Sequence, residues 1–284
     1  MLGELLDNVR RRRPLIHCIT NYVTANDCAN ILLACGGSPI MADDPGEVEE
    51  ITALCGGLNL NIGTLNTRTV PAMLAAGKKA NELGHPVVLD PVGAGASALR
   101  TDTALRLLEQ IRFSVIRGNI SEIKALALGR GFTTGASTQG VDADAGDAVR
   151  SETLAEAVRF ARGFAKKTGA VVAVTGAIDI VAGADRAWCI FNGHPMMSAV
   201  TGTGCQLSAL TAAFAAANPD RVPEAAAAAV CAMGVCGELA HRRLSERDGN
   251  ASYRNYIIDA AYRLDGDTLD KMAKYEILSQ DVRP

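Results

Sequence analysis

Short apolar runs rich in β-branched residues alternate with helical stretches along most of this 284-residue chain. That alternation predicts an α/β fold with a mostly parallel central sheet. Two further observations define the class. The strand-like runs lack polar alternation, so helices are expected to cover both faces of the sheet. Past residue 174 the pattern changes. Two short runs joined by Gly183-Ala184-Asp185-Arg186 read as an antiparallel hairpin at one sheet edge.

In chain order, strands are expected at residues 15–19, 38–41, 58–61, 87–89, 114–116 and 171–174. Helices are expected between them at 24–34, 46–54, 67–83, 103–110 and 122–127. The hairpin strands are placed at 179–182 and 187–191, and the remainder is read as helices at 204–217, 223–245, 252–264 and 268–274. The run Arg10–Arg13 reads as the solvated polar end of a first helix. Residues 129–147, rich in Gly, Thr, Ser and Asp, suit either an interdomain linker or a surface loop. Their flanks continue one βα alternation, so a loop near the site and a single domain over 1–284 are expected.

Composition sets bounds. With 48% hydrophobic and 21% charged residues the chain is ordinary globular protein, and a net charge of −3 offers no surface for nucleic acid or anionic membrane. The eight cysteines form no C-x-x-C pair and no Cys/His group at zinc spacing. They read as free, buried thiols in a cytoplasmic protein, and no charged-then-apolar leader opens the sequence. The apolar run 225–237, bounded by Glu224 and Glu238, is shorter than the roughly 20 residues of a membrane span and reads as a buried helix.

Four segments carry chemistry, each where a strand is expected to end, which is where open α/β sheets place ligands. Thr201-Gly202-Thr203-Gly204-Cys205 precedes a helix, so its amides and the helix dipole make a phosphate-sized anion hole. Cys205 falls in that first turn, where a lowered thiol pKa is expected. Asp90 leaves an apolar strand into Pro91-Val92-Gly93-Ala94-Gly95, and suits either a hydrated Mg²⁺ or a turn cap. Asn119 and Glu122 share a helix face three residues apart, and a capping box accounts for both at least as simply. Arg117 just before them is a fixed cation suited to phosphate oxygens. Thr175-Gly176 ends a further strand. Neither a Walker A sequence nor a Rossmann fingerprint is present, which argues against a P-loop enzyme or a dinucleotide dehydrogenase.

The residues Leu15–Asn21 (LIHCITN), Met41, Asn61-Ile62-Gly63-Thr64, Asp90-Pro91-Val92-Gly93, Arg117-Gly118-Asn119-Ile120-Ser121-Glu122, Thr175-Gly176 and Val200–Cys205 follow in an order that resembles the hydroxyethylthiazole kinase family. That family lies within the ribokinase-like superfamily, and the resemblance spans essentially the whole chain. It implies a three-layer α/β/α domain and Mg²⁺-dependent transfer of the ATP γ-phosphoryl group to the hydroxyl of 4-methyl-5-(2-hydroxyethyl)thiazole in thiamine salvage. By the same resemblance, Arg117, Thr175 and Asn119 contact ATP, and Met41, Gly202 and Asn21 bind the thiazole. Glu122 and Asp90 attend the metal, and Cys205 is the catalytic group where most ribokinase-like kinases carry Asp. A homotrimer with sites near subunit junctions is also implied. Cys18 stands where the family has Asn. His17 reads either as a residue orienting that loop or as a satisfied core histidine. Rival readings are a kinase for another vitamin alcohol, a nucleotide-hydrate dehydratase and a silent nucleotide sensor.

Overall fold

The computed structural model of the chain describes residues 1–129 and 149–279. Helix α1 (Gly3–Arg12) buries Leu5, Leu6 and Val9 and leads into β1 (Leu15–Ile19). There follow α2 (Ala25–Cys35), β2 (Ser38–Ile40), α3 (Val48–Leu54), β3 (Gly57–Asn61), α4 (Thr69–Leu83) and β4 (Val87–Asp90). Helix α5 (Ala98–Gln110), β5 (Val115–Asn119) and α6 (Ile120–Gly129) precede the undescribed stretch. After it come α7 (Leu154–Thr168), β6 (Val171–Thr175), β7 (Asp179–Ala182) and β8 (Arg186–Ile190). Helices α8 (Thr203–Ala217), α9 (Val222–Arg243), α10 (Asn250–Arg263) and α11 (Gly266–Met272) lead to β9 (Tyr275–Ser279).

The described strands form one sheet in the order β2-β1-β3-β4-β5-β6-β7-β8-β9, parallel from β2 to β6 and antiparallel beyond. Apolar side chains on its two faces form two cores. One is built with α1, α2, α8, α9, α10 and α11, the other with α3 to α7. This is the expected three-layer arrangement, with an antiparallel edge that extends one strand further than the hairpin. Strand β9 escapes a reading of apolar runs because most of its residues stay exposed; its backbone pairs with β8. Helix α5 begins five residues before its expected start, because Ser97 caps it by accepting the Arg100 amide at 3.3 Å. Helix α7, amphipathic and ended by Gly169 in the left-handed region, has no counterpart among the expected helices. The loop expected over 129–147 lies, apart from Gly129 at the end of α6, outside the described residues.

Among the described residues, the helical stretch Pro219–Arg243 is by length and composition able to cross a membrane, with mean hydropathy 1.4, but 78% of its apolar window is buried in the fold. Its alanines permit this burial, since Ala225 to Ala229 are all fully buried against neighbouring elements. Arg10 is not a purely solvated residue, as it donates to the Ala261 and Tyr262 carbonyls at the end of α10, whereas Arg11, Arg12 and Arg13 are exposed.

Chain order explains where a ligand belongs. From β1 the chain steps one way to β2, then crosses back over β1 to β3, so the direction of winding reverses between β1 and β3. The hairpin has a second effect. Two successive reversals return β8 to the direction of β6, so its C-terminal end, and the turn after it, lie at the same end of the sheet. Helix α9 packs tightly on that turn: a Cβ at Gly234 would lie 2.6 Å from Asn192 Cβ and 2.8 Å from its carbonyl carbon. Gly234→Ala is therefore expected to lower stability by about 1–3 kcal/mol through overpacking, read as a shifted denaturant midpoint. An unchanged midpoint would show that the turn yields freely.

Candidate functional site

Strand periodicity assembles the site. On β4, Val88 belongs to the α8-side core and Leu89 to the opposite one, so Asp90 points to the α8 side. The same alternation puts Asn61 of β3, Arg117 of β5 and Thr175 of β6 on that face. Asn61 pairs in register with Asp90, and Asn119 with Thr175. Four polar side chains thus stand in a row at the C-terminal ends of four adjacent parallel strands, under the first turns of α8.

Asp90 has no solvent exposure. Its Oδ2 accepts from Asn61 Nδ2 and from Ser208 Oγ on α8, both at 2.8 Å. Its Oδ1 has only the Arg117 guanidinium, at 3.5 Å. Burial pushes the carboxyl above the usual carboxylate range, while Arg117, Ser208 and Asn61 act against that shift. Arg117 also donates to Thr175 Oγ1 at 2.7 Å. A Cβ at Gly204 would lie 2.6 Å from Arg117 Nη1, so the guanidinium rests against the backbone of the first turn of α8.

That turn is built as expected and carries no side-chain cap. Gly202 sits at φ 90°, a left-handed conformation, and a Cβ there would meet Thr24 Cγ2 at 2.4 Å. Gln206 donates the first helical bond, to the Gly202 carbonyl. The amides of Thr203, Gly204 and Cys205 lie in the turn that has no intrahelical acceptors. A cation and a positive helix end therefore adjoin one another, and an anion satisfies both.

Cys205 corrects one expectation. Its thiol is pushed up, not down, because burial and the nearby Asp90 charge outweigh the hydrogen bonds with Thr24 and Asn21 and the Arg117 charge. The sulfur accepts from Asn21 Nδ2 at 3.1 Å and Asn61 Nδ2 at 3.2 Å. Asn21, just past β1, thus meets Asn61, at the end of β3, at the winding reversal. Met41 follows edge strand β2, is 39% exposed, and stands apart from this network. His17 is fully buried and satisfied, with Nδ1 at 2.9 Å from Thr52 Oγ1 and Nε2 at 2.8 Å from the Ala42 carbonyl, and so anchors the segment that carries Met41. Cys18 is buried beside its register partner Asn59.

Glu122 and Asn119 form the capping box. The Glu122 amide donates to Asn119 Oδ1, and Glu122 Oε2 accepts the Asn119 amide, each at 2.8 Å. The other carboxylate oxygen accepts the Gly93 amide at 2.8 Å, tying the loop after Asp90 to α6. Burial and Asp90 raise the Glu122 carboxyl to about 7, against the two backbone amides and Arg117. Both oxygens thus hold backbone, which the sequence pattern alone does not reveal. Among the described residues no group of three or more His, Cys, Asp or Glu side chains is placed to hold a metal.

A cavity of about 500 Å³ opens beside this row, lined by Arg117, Thr175, Asp179, His194, Thr203 and Gly204 among others. One wall is the segment after β8, from Phe191 to Ser198, with Val230, Met233 and Gly234 of α9. Asp179 accepts the Gly176 amide at 2.8 Å, and burial lifts its carboxyl to about 7. None of these wall residues was a candidate from the sequence; Asn192-Gly193-His194-Pro195 is a turn signal whose place at the site depends on the double reversal of the hairpin.

The hydroxyethylthiazole kinase family matches residues 6–267. A hydroxyethylthiazole kinase of Clostridium acetobutylicum is 66% identical over 276 residues, covering 97% of this chain and 99% of that protein. The structure of a hydroxyethylthiazole kinase protein from Pyrococcus horikoshii OT3 matches with a TM-score of 0.86 at 36% identity, over 98% of this chain and 99% of that one. Staphylococcus aureus pyridoxal kinase in complex with pyridoxal, at 15% identity and TM-score 0.58 over 94% of this chain and 98% of that one, shares the fold.

The raised Glu122 carboxyl has a pH consequence. Its pKa goes from 4.5 unfolded to about 7 folded, so its contribution to stability is full below 4.5 and is lost as pH rises through 7. Unfolding free energy from denaturant titration is expected to fall across that window, with a smaller slope in Glu122→Gln. An identical slope in both proteins would remove Glu122 from the titration.

Proposed function

Because the chain belongs to the hydroxyethylthiazole kinase family, we infer that it phosphorylates the hydroxyl of 4-methyl-5-(2-hydroxyethyl)thiazole, with ATP as donor, in thiamine salvage. The observation that supports this best is the Arg117 guanidinium lying against the uncapped first turn of α8, beside a cavity of about 500 Å³. Two positive features converge there on the place where a transferring phosphoryl group needs charge neutralised.

In this reading Arg117 and Thr175 hold the triphosphate, and the amides of Thr203, Gly204 and Cys205 receive the phosphoryl group. Phosphoryl transfer has a loose transition state in most analyses, so positioning and charge stabilisation dominate. A protonated Cys205 suits that chemistry. The thiol orients the acceptor hydroxyl and takes its proton late, once oxygen–phosphorus bonding has made that proton acidic, while its own hydrogen passes to a phosphoryl oxygen, so no net charge is left on sulfur. Asn21, Gly202 and Met41 bound the thiazole side.

Mg²⁺ fits this donor set. Asp90 Oδ1 is a buried carboxylate oxygen without a hydrogen-bond partner, and Mg²⁺ takes one or two carboxylates together with waters and substrate phosphates. Asp90 would hold it, with Glu122 and Asn119 fixing the Gly93 loop alongside. When bound, the ion would supply charge neutralisation at the phosphates. We also read the chain as one kinase domain, active as a homotrimer in the cytoplasm. Exposed Tyr22 and Val23, 58% and 67% accessible, and Met41 favour a neighbouring subunit near Asn21.

Coupled ADP release tests the reaction. The hydroxyethyl compound is expected to give phosphate ester and ADP, and its ethyl analogue, which lacks the acceptor oxygen, only background. Equal ADP release from the two would refute the assignment. For Arg117→Ala, loss of a charge-assisted contact worth about 1.5–3 kcal/mol corresponds to roughly 10- to 150-fold in kcat/KM for ATP. Unaltered ATP kinetics in the folded variant would place Arg117 outside the nucleotide site.

A further inference from the structure

The Asn61 amide can point only one way. Asp90 Oδ2, 2.8 Å from Asn61 Nδ2, accepts, and the Gly63 amide, 2.9 Å from Asn61 Oδ1, donates. The carboxamide nitrogen is therefore turned to Asp90 and the oxygen to Gly63. One of its two hydrogens goes to Asp90, and the second reaches Cys205 Sγ at 3.2 Å. The oxygen also accepts from Asn21 Nδ2 at 3.1 Å, and the second hydrogen of that nitrogen reaches the same sulfur at 3.1 Å. Asn21 is fixed in turn by the Thr24 amide and hydroxyl, which donate to its Oδ1 at 3.1 and 3.0 Å. Both amides are buried, with Asn61 1% and Asn21 5% exposed.

We propose that Asn61 is a positioning residue, locked by Asp90 and Gly63 so that it and Asn21 hold the Cys205 sulfur as a hydrogen-bond acceptor. The sulfur then presents its own hydrogen away from the two amides. An acceptor hydroxyl meets a sulfur in one orientation; the sulfur hands its own hydrogen to a transferring phosphoryl oxygen as it takes the hydroxyl proton, so it ends as the thiol it began, and the two donors stabilise the negative charge it carries in between. This inference rests on the kinase reading of Cys205. The competing role is local: Asn61 Oδ1 shapes the turn at Gly63 and needs no contact with sulfur.

Phosphorylation of the thiazole alcohol by wild type, Asn61→Ala, Asn61→Asp, Cys205→Ala and the Asn61→Ala/Cys205→Ala double variant separates these roles, each protein being checked for folding by circular dichroism. Asn61→Ala is expected to lower kcat by about 10- to 100-fold, in keeping with a hydrogen bond to a developing charge, with thiazole KM changed by less than about threefold. In the Cys205→Ala background the same change is expected to cost less than about threefold, because residues acting through one another are not additive. Asn61→Asp keeps the oxygen that serves Gly63 but loses the donor to sulfur, so it is not expected to restore kcat. Equal losses in both backgrounds, a pure KM effect, or wild-type kcat in Asn61→Asp would each overturn the proposal. An infrared readout covers the case where Cys205→Ala is too slow to measure or Asn61→Asp does not fold. The S–H stretch of Cys205, isolated as the wild type minus Cys205→Ala difference, is expected to shift in Asn61→Ala, and an unmoved band overturns the proposal. Failure of the kinase reading is distinct, since wild type itself would then leave the thiazole alcohol unphosphorylated.

Discussion

A buried carboxylate is costly unless its partners are in place, and Asp90 has no solvent contact at all. Its partners come from three other elements: Asn61 from β3, Arg117 from β5 and Ser208 from α8. Strand register, the hand of the pleat and the height of α8 over the sheet must therefore all be right together. Removing any one partner leaves a charge short of a donor in a low-dielectric interior. Asp90 in this way ties the alignment of the sheet to the integrity of the site, and the donors that stabilise it are the same groups that reach Cys205 and the cavity.

The second constraint is electrostatic. Arg117 is held against the uncapped end of α8, and only the missing side chain of Gly204 allows that approach. Positive beside positive is unfavourable in the unliganded chain. Asp90 offsets part of it from below, at 3.5 Å, which leaves the cavity side of the pair free for an anion. The cation and the helix end already stand together, and such pre-organisation limits the binding energy that an anion there would lose to reorganisation.

Much of this was legible in the sequence, for identifiable reasons. Strand β1 and strand β7 fall at the residues expected, because apolar runs bounded by polar or turn residues have few other readings. Asp90, Arg117 and Thr175 were each visible as polar residues ending an apolar run. Their convergence was not, since it depends on strand order and register. Strand β9 and the cavity wall after β8 were hidden for the same reason, as their places depend on pairing with distant strands. Glu122 shows the finer limit. Its capping box was written in the spacing, whereas the Gly93 amide on its other oxygen comes from a loop 29 residues away.

Cys205 shows burial overriding a local rule. A helix N-terminus lowers a thiol pKa in solvent, whereas the burial and the Asp90 charge that raise this one come from packing that residue order does not reveal. The reversal bears on what an acid in place of this thiol would do. Asp90 and Glu122 already place two acidic groups here, each with its carboxyl raised by burial. A third would raise all of them further and weaken the pairing with Arg117. A thiol stays neutral in the resting site and leaves the Arg117 charge free for the phosphate it is proposed to hold. On the proposed reading it takes the hydroxyl proton only when transfer has made that proton acidic, and gives up its own hydrogen to a phosphoryl oxygen, at the stage where a loose transition state calls for an acceptor.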